Sequence, residues 1–394
     1  MRGGEAIQKV MRKAFLVSSA PGRADFLNTH QDYKGLPVIP VALNLRTFMF
    51  AVGRISGAFR IVSLNLREEG EPYEDYFEVD RLSLRPGKWF GNYFRSVVLA
   101  FEDIADIRQG LEVYVYSEVP VASGMASSAA LEVSFAKLLD EFYGTGLKRD
   151  ELAELCYVAE NRIMGIPCGR LDQYGSAFGK AILLYPRPPV RVEELPMEDV
   201  TFVVVDSGIR HSVADIHPKR QEDINRGLRA LMESPEVPES LKEKLGCRFD
   251  EPRWEEITLD EVEPYLKLMD ERAAKRIVYT IKANESTMRA VDLIKRGNVR
   301  ENLATLGEIM NEQHELMRNL YDLSLPQLEH IRDSMLRAGA LGVKISGAGL
   351  GGCLIALVRD REEGARVLEG ALASGAIRGW ILEIDEGVRT ERIP

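Results

Sequence analysis

The pattern of apolar and polar positions predicts both strands and helices in the first half of the chain. Apolar runs bounded by glycine and polar turns predict strands at residues 38–41, 43–52, 60–64 and 111–116. Helical spacing of apolar residues predicts helices at residues 88–104, 127–143 and 149–164. Residues 186–196 are rich in proline, which is typical of a connection between domains. We therefore expect one domain over residues 1–190 and a second over residues 191–394.

The second half is predicted to begin with a buried strand at residues 200–206. Long charged helices follow across residues 215–340. The chain then closes with strands at residues 343–345 and 353–358, a helix at 362–373 and a strand at 380–384. No internal repeat and no low-complexity tract is visible in either half.

Length, charge and cysteine spacing exclude several classes of protein. With 394 residues, the chain is long enough for two domains with substantial cores. The net charge of −10 argues against a nucleic-acid partner or an anionic membrane surface. No apolar run reaches about 18 residues and the N-terminus lacks the apolar stretch of a signal peptide, so we expect no membrane span. The four cysteines lack the spacing of a zinc site or a disulfide framework, and we expect a cytoplasmic protein.

A loop of small residues separates the strand at 111–116 from the helix at 127–143, and it is the first candidate site. The loop contains Ser123, Gly124, Met125, Ala126, Ser127 and Ser128. Small residues let backbone N–H groups approach an anion closely, and the start of a helix adds unpaired N–H donors and a positive dipole end. The loop is therefore a candidate phosphate site. A serine that only caps the helix is the simpler alternative.

Residues 347–352 satisfy the G-x-G-x-x-G pattern of dinucleotide-binding folds. That pattern requires a helix directly after the loop, whereas residues 353–358 continue as an apolar strand. We therefore interpret the segment as a glycine turn between two strands, which is either a tight hairpin or backbone packed close to a ligand or to the phosphate loop. The sequence also lacks a G-x-x-x-x-G-K-[ST] segment, which excludes a P-loop kinase.

Residues 20–35 hold a third concentration of polar groups near a predicted turn: Arg23, Asp25, His30 and Asp32. Sugar hydroxyls need matched donors and acceptors when they lose water, and such a cluster supplies both. A solvated loop with a few surface ion pairs is the alternative reading.

The three segments together resemble the motifs of the GHMP kinase superfamily, in the same order and spacing. The matching stretches are Pro21-Gly22-Arg23, the loop at 120–129 and Lys344 to Gly352. Within the superfamily the chain most resembles the galactokinases, and the resemblance covers residues 18 to about 360. It extends to the segments 30–35, 89–93, 159–161, 168–173, 207–212 and 321–328.

The resemblance implies an α+β, two-domain GHMP kinase fold, with a ribosomal-protein-S5-like N-terminal domain and a ferredoxin-like C-terminal domain. It also implies ATP-dependent phosphorylation of the anomeric C1 hydroxyl of a hexose, with galactose the first choice, in a cleft between the domains. The implied partners are ATP and a monosaccharide, with Mg²⁺ as cofactor and no nucleic acid or membrane. A monomer or a homodimer is expected.

The resemblance also implies roles for individual residues. Asp172 takes the place of the catalytic carboxylate and Arg23 stands beside it, while Ser128 and Glu160 match the magnesium ligands. The backbone of residues 123–128 would hold the nucleotide phosphates. The substrate-binding residues would be Arg23, Thr29, His30, Asp32 and Asp172. A carboxylate that accepts the hydroxyl proton and hard oxygen ligands for Mg²⁺ both suit phosphoryl transfer.

Simpler roles are also open for some of these residues. Asp172 could only cap the helical segment that follows it, and Glu160 could lie on a helix surface. Cys168 is expected to contribute to packing. The remaining histidines, His211, His217, His314 and His330, are scattered and none is assigned to a metal.

Three positions depart from the galactokinase pattern. Thr29 stands where galactokinases carry a glutamate that faces the C6 side of the sugar, Gln31 replaces a threonine, and Arg170 replaces an isoleucine. The loss of a carboxylate at Thr29, with Arg170 facing the pocket, would favour an acidic sugar such as galacturonate or glucuronate. In the phosphate loop, Ala126 and Ala130 replace serines.

Two further readings belong to other classes. One is a non-enzymatic sugar sensor on the same scaffold, which the presence of Arg23, Ser128, Glu160 and Asp172 disfavours. The other is a kinase or decarboxylase of the mevalonate pathway, against which the segments at 30–33 and 210–212 favour the sugar branch.

Overall fold

The computed structural model describes residues 2–121, 123–210 and 213–391. His211 and Ser212 of the segment at 207–212 lie outside the described residues. The twelve strands of this part are β1 Leu16–Leu27, β2 Ile39–Ser56, β3 Ala58–Ser63, β4 Glu74–Glu78, β5 Gln109–Ser117, β6 Ala181–Tyr185, β7 Arg191–Leu195, β8 Thr201–Asp206, β9 Gly342–Ser346, β10 Cys353–Val358, β11 Arg378–Glu383 and β12 Arg389–Thr390.

The α-helices of the same part number thirteen. They are α1 Arg2–Met11, α2 Leu64–Glu69, α3 Asn92–Phe101, α4 Ser127–Tyr143, α5 Arg149–Tyr157, α6 Leu171–Phe178, α7 Val213–Glu233, α8 Glu239–Lys242, α9 Leu259–Val262, α10 Glu271–Arg296, α11 Val299–Tyr321, α12 Pro326–Arg337 and α13 Arg361–Ala373. No helix among the described residues is both long enough and apolar enough to cross a membrane.

The larger of two sheets contains eight strands, in the order β12-β1-β2-β5-β3-β4, with β6 paired to β2 and β7 to β6. Strand β1 runs antiparallel to β2 and carries two irregularities, between Pro21 and Gly22 and between Asp25 and Leu27. A bulge bends a strand and redirects its side chains. These two irregularities flank Arg23 and Asp25, and so they set the direction in which the two charged side chains leave the sheet.

Helices α3 to α6 pack with the larger sheet around one apolar core. Phe59 of β3, Phe94 and Phe101 of α3, and Phe135 and Leu138 of α4 are fully buried in it. The prediction of α4 at residues 127–143 is confirmed residue for residue, because a loop of small residues precedes the helix and Gly144 in the left-handed conformation ends it.

The smaller sheet has four strands in the antiparallel order β11-β8-β10-β9, and all described residues of β8, β9 and β10 are buried. The glycine segment at 347–352 connects β9 to β10, which confirms the prediction of a turn between two strands. Helices α10 to α13 belong to the same half of the chain. The observed architecture is the expected α+β fold with two sheets.

Four sequence predictions differ from the structure. The strands expected at 38–41 and 43–52 form one continuous strand, β2, which pairs with β1 along both segments. Residues 16–27 form the long strand β1, although residues 20–35 were expected near a turn, because β1 is buried on both faces and shows no alternation. Residues 191–195 form β7 on the larger sheet instead of a connection. The helix expected at 149–164 changes at Val158 into a π-helical stretch, Val158–Ile163. Because β7 and β12 join the larger sheet, the division of the chain at residue 190 stays a prediction.

Candidate active site

One cavity of ≈ 120 Å³ brings together segments that are far apart in the sequence. The polar side chains that line it are Arg23, Asp25, Thr29, His30, Asp32, Ser128, Glu160, Asp172 and His217. The wall is completed by Ile166, Cys168, Gly169 and Leu171, together with Gly347 and Ala348 of the glycine segment. Strand β1, the start of α4, the π-helical stretch and the start of α6 therefore contribute to one site.

Arg23 and Asp172 form an ion pair in this cavity. The Nε and Nη2 groups of Arg23 donate to Oδ1 of Asp172 at 3.0 and 2.5 Å, and Nη1 donates to the carbonyl of Gly124 at 2.7 Å. Burial alone would lower the pKa of Arg23, but the nearby carboxylates of Asp172 and Asp25 raise it above its ordinary value. The guanidinium is therefore held permanently charged between the carboxylate and the phosphate loop.

Asp172 lies in the first turn of α6, and Asp32 approaches the same helix start. Oδ2 of Asp32 accepts a hydrogen bond from the backbone N–H of Leu171 at 3.3 Å. Gly169 packs against this carboxylate so closely that a Cβ atom there would overlap Asp32. Burial and the charge of Asp172 raise the pKa of Asp32 to about 6. Asp32 and Asp172 thus face the same small cavity, and of these two carboxylates Arg23 bonds only to Asp172.

The phosphate loop and the glycine segment are packed backbone to backbone. Gly124 has φ = 87°, and a Cβ atom there would lie 2.6 Å from the carbonyl oxygen of Ser346. A Cβ atom on Gly352 would lie 3.0 Å from the carbonyl oxygen of Ser123. Of the two readings of residues 347–352, the structure favours backbone packed against the phosphate loop. Glycine is needed at these positions because the backbones of the two loops contact each other there and leave no room for a side chain.

The start of α4 keeps its backbone donors available. Ala126, the residue before the helix, has φ = 54° and makes no side-chain cap, and Ser123 donates instead to the carbonyl of Pro120 at 2.7 Å. The N–H groups at the start of an uncapped helix are unsatisfied within the helix and attract anions. The alternative in which a serine only caps α4 does not match this geometry.

Ser128 and Glu160 meet beside Asp172. Glu160 is 5% exposed and accepts a hydrogen bond from Nε2 of Gln173 at 2.5 Å. Burial and the charge of Asp172 raise the pKa of Glu160 to about 7, against the opposing hydrogen bonds from Ser128 and Gln173. Glu160 is therefore not on the helix surface. It lies in a π-helical stretch, a feature that is frequently found at functional sites.

The donors at this point fit a magnesium ion that is shared with a nucleotide. Within the described part of the chain, no basic side chain bonds to the buried carboxylate of Glu160. Ser128 adds a hydroxyl oxygen, and both groups are hard oxygen donors. No cluster of three or more His, Cys, Asp or Glu side chains with metal-site geometry occurs among residues 2–121, 123–210 and 213–391. Magnesium is commonly held by one or two protein oxygens together with substrate phosphates, which is the case that these residues fit.

His30 lines the cavity, but both of its ring nitrogens already have partners in the protein. Nε2 lies 3.0 Å from the carbonyl oxygen of Ala348, and Nδ1 lies 3.0 Å from the hydroxyl of Tyr33. A carbonyl only accepts, so Nε2 carries the proton and Nδ1 accepts from Tyr33. Burial, and then the nearby His217, lower the pKa of His30 well below its ordinary value. The ring is therefore neutral, and it forms part of the cavity wall.

Thr29 is bonded to Lys344, a buried lysine at the start of the third motif. Nζ of Lys344 donates to the hydroxyl of Thr29 at 2.9 Å, to the carbonyl of Asp25 at 2.7 Å and to the carbonyl of Ile345 at 2.9 Å. Burial, only partly offset by Asp25, lowers the pKa of Lys344 to about 8. Lys344 thereby ties β9 to the segment that carries Thr29.

Arg170 and Gln31, two of the departures from the galactokinase pattern, do not face the cavity. Arg170 donates from Nε and Nη2 to the two carboxylate oxygens of Glu154 at 2.8 and 2.7 Å, and its guanidinium lies 4.1 Å from the ring centroid of Tyr157. Gln31 is buried and bonds to Thr280. The expectation that Arg170 adds a positive charge to the sugar pocket does not hold, because Glu154 pairs with it.

His217 belongs to the cavity, although no motif or spacing in the sequence selects it. Its Nδ1 lies 3.2 Å from the carbonyl of Pro167, and its ring packs edge-on against His30 with centroids 4.7 Å apart. It reaches the site from α7, about 180 residues after His30 in the chain. No local spacing signals such a contact. Cys168 also lines the cavity and is half-buried, and its packing role stays a prediction.

Comparison with known families agrees with the fold. Residues 92–180 match GHMP kinases N terminal domain, residues 290–376 match GHMP kinases C terminal, and residues 8–52 match a galactokinase galactose-binding signature. The last segment contains Arg23, Asp25, Thr29, His30 and Asp32. The class of protein is therefore that of the two-domain GHMP kinases, as expected from the three motifs.

Individual proteins narrow the class. A galactokinase of Thermotoga neapolitana is 30% identical over 345 residues, which is 86% of this chain and 88% of that protein. The galactokinase of Homo sapiens is 30% identical over 355 residues, 87% of this chain and 83% of the relative. A crystal structure of Lactococcus lactis galactokinase complexed with galactose has a TM-score of 0.79 at 24% identity and covers 98% of both chains. The chain belongs to the galactokinase family, a group of phosphotransferases that use a hydroxyl acceptor.

Proposed function

We propose that the protein transfers the γ-phosphoryl group of ATP to the anomeric C1 hydroxyl of galactose and so forms galactose 1-phosphate. The observation that carries this proposal is the ion pair of Arg23 with Asp172, set in a cavity next to an uncapped helix start. Membership of the galactokinase family, with a galactose-binding signature over residues 8–52, supports the choice of substrate.

Asp172 is proposed to accept the proton of the reacting hydroxyl. A sugar hydroxyl is a poor nucleophile, and a carboxylate within hydrogen-bond distance can take its proton as the phosphoryl group transfers. Arg23 bonds to the Asp172 carboxylate and places a positive charge next to the phosphate loop. The same guanidinium is therefore positioned to stabilise negative charge on the transferred group.

The backbone of residues 123–128 is proposed to hold the nucleotide phosphates, and Ser128 and Glu160 to hold Mg²⁺. The free N–H groups at the start of α4 supply donors for the phosphate oxygens. Magnesium, when bound, would neutralise phosphate charge as transfer proceeds. Gln173 orients the Glu160 carboxylate toward this position through its 2.5 Å hydrogen bond.

A neutral hexose suits the cavity better than an acidic sugar. Four carboxylates line it, from Asp25, Asp32, Glu160 and Asp172, against the single guanidinium of Arg23. A uronate would add a negative charge to this set, and like charges at close range are disfavoured. Because Arg170 is paired with Glu154, only Thr29 still supports the uronate alternative. A cytoplasmic location and a monomer or homodimer stay predictions from the sequence.

The test is ADP release with MgATP over a panel of galactose, glucose, N-acetylgalactosamine, arabinose, galacturonate and glucuronate. We expect the highest kcat/KM with galactose. Asp172→Asn should lose activity by at least about a hundredfold, because removal of a general base typically costs that much. The matched control is Asp150→Asn, since Asp150 also lies in the first turn of a helix, α5, but is exposed and remote from the cavity.

Each competing function has its own signature in that experiment. Turnover mainly with a uronate would replace galactose by an acidic sugar. Silence with every sugar, combined with saturable galactose binding, would favour the sensor. Activity only with mevalonate-type acids would move the protein to another branch of the GHMP kinases.

A further inference from the structure

Asp25 is a charged residue in the cavity for which the proposed reaction has no role so far. It follows Arg23 by two residues on β1, is 3% exposed and lines the cavity wall. Its backbone is fixed on both sides, because the N–H donates to the hydroxyl of Ser346 at 3.0 Å and the carbonyl accepts from Lys344. The position of the side chain is therefore set by β1 and β9 together.

The Asp25 carboxylate is left without the donors that a buried charge requires. Among the residues that the structure describes, Oδ1 of Asp25 is buried and has no hydrogen-bond partner, and the neighbouring Thr29 hydroxyl is already bonded to Lys344. A buried ionised group that lacks partners is costly, so such groups are normally satisfied by protein, water or ligand.

The two nearest cations do not supply the missing donor. All three protons of the Lys344 ammonium are directed to Thr29 and to the carbonyls of Asp25 and Ile345. Arg23 directs its Nε and Nη2 to Asp172 and its Nη1 to Gly124. Burial raises the pKa of Asp25 above its ordinary value against the opposing charges of Lys344 and Arg23, and neither cation bonds to its carboxylate.

We infer that the Asp25 carboxylate binds the substrate directly, by accepting a hydrogen bond from a sugar hydroxyl other than the one that is phosphorylated. This inference rests on the proposed sugar kinase function and adds a specificity-determining residue to it. Asp172 and Arg23 act at the reacting hydroxyl, whereas Asp25 demands a donor elsewhere on the ring. A sugar that lacks that hydroxyl leaves the carboxylate buried and unpaired.

The test is a cycle of substrate and enzyme changes. The kcat/KM is measured for galactose and for 2-, 3-, 4- and 6-deoxygalactose with the wild-type protein and with Asp25→Asn. Loss of a hydrogen bond to a buried charged acceptor should cost about 30-fold, so one deoxy sugar should show that penalty with the wild type. With Asp25→Asn the same penalty should fall below about fivefold, while the penalties of the other three sugars stay unchanged.

Asp75→Asn is the matched control, because Asp75 of β4 is also a buried carboxylate, 1% exposed, but is paired with Arg95 of α3. It should lower stability and leave every substrate ratio as in the wild type. Each penalty is a ratio measured on one preparation, so a smaller folded fraction cancels. If Asp25→Asn yields no folded protein, Asp25→Ser tests the same cycle with a small neutral acceptor.

The outcomes separate this inference from the proposed function. Suppose that the wild type phosphorylates galactose and that each deoxy sugar shows the same penalty with the wild type as with Asp25→Asn. Then Asp25 does not contact the sugar and the inference is wrong. If the wild type phosphorylates no sugar at all, the proposed function fails and the inference fails with it. If the penalty of a single deoxy sugar disappears in Asp25→Asn, the hydroxyl missing from that sugar is the one that Asp25 binds.

Discussion

The ring of His30 is joined to the glycine segment by a hydrogen bond from Nε2 to the carbonyl oxygen of Ala348, 3.0 Å long and 318 residues apart in the chain. The bond connects the first and last motifs of the site. It also fixes the neutral tautomer, because the carbonyl can only accept. His30 therefore holds the sugar-binding segment against the glycine segment, and the proton on Nε2 is needed for this contact.

The neutral state of His30 makes its contribution to stability dependent on pH. Its pKa is well below 6.5 in the folded protein, so the unfolded chain binds the extra proton as pH falls below about 6.5. The stability from His30 is thus present above this pH and is lost below it. Relative to the wild type, His30→Gln should regain up to about 1.4 kcal/mol for each pH unit below 6.5. Urea unfolding at pH 5, 6 and 7 measures the difference.

The comparison between proteins is essential, because other groups titrate in the opposite sense. The raised pKa values of Asp32, about 6, and Glu160, about 7, make the folded state bind protons that the unfolded state releases. Both proteins share these groups, so they cancel in the difference. His330→Gln is the control, since His330 is exposed, and it should follow the wild type at every pH. Parallel curves for His30→Gln and the wild type would contradict the prediction.

Gly124→Ala should damage nucleotide binding. The position has φ = 87°, and a Cβ atom would lie 2.6 Å from the carbonyl oxygen of Ser346, so the phosphate loop must move away from β9. We expect the KM for ATP to rise by about tenfold or more, because backbone donors must be placed accurately to bind phosphate. Steady-state kinetics with varied MgATP at saturating galactose measures the effect.

Gly144→Ala is a close control for this substitution. Gly144 ends the same helix, α4, and also has positive φ, 67°, but a Cβ atom there meets nothing within 4 Å. It should lower the free energy of unfolding by about 1 kcal/mol through backbone strain and leave the KM for ATP unchanged. An equal rise in KM for both variants would attribute the effect to general destabilisation.

Local sequence patterns predicted the elements that have one clear periodicity and distinct ends. Helix α4 and strand β10 were predicted at their observed residues, because α4 has a regular apolar face and ends at Gly144, and β10 is an unbroken apolar run that follows the glycine segment. Strand β1 was not predicted, since both of its faces are buried and its polar residues imitate a loop. Periodicity carries no signal when a strand has no solvent face.

The candidate site shows the same limit. The structure brings together Arg23, Asp172 and the phosphate loop, which the resemblance to galactokinases had already grouped. The contacts of Lys344 and His217 could not be predicted, because they depend on the position of elements about 180 to 320 residues apart. Arg170 shows the reverse case: its sequence position next to Asp172 suggested the pocket, but its side chain turns toward Glu154.

Arg170→Ala should leave the sugar preference unchanged. The guanidinium is bonded to Glu154 and stacked near Tyr157, outside the cavity wall, so its charge does not reach the substrate. We expect the ratio of kcat/KM for galactose and galacturonate to change by less than about threefold, and the free energy of unfolding to fall by about 1 kcal/mol or less, as for a partly exposed ion pair. A tenfold loss of galacturonate activity alone would restore Arg170 as a substrate-binding residue.

Glu160→Gln should weaken the use of magnesium more than the binding of galactose. The substitution keeps the shape of the side chain but replaces the only charged ligand proposed for the ion, beside Ser128. The half-saturating Mg²⁺ concentration at fixed ATP should rise by about tenfold or more, while the KM for galactose, extrapolated to saturating Mg²⁺, changes little. Glu154→Gln serves as the control, because Glu154 is a partly buried glutamate near the same segment that bonds to Arg170 outside the cavity. If both variants require the same Mg²⁺ concentration as the wild type, Glu160 does not hold the ion, and its burial next to Asp172 would then serve to position Gln173 in α6.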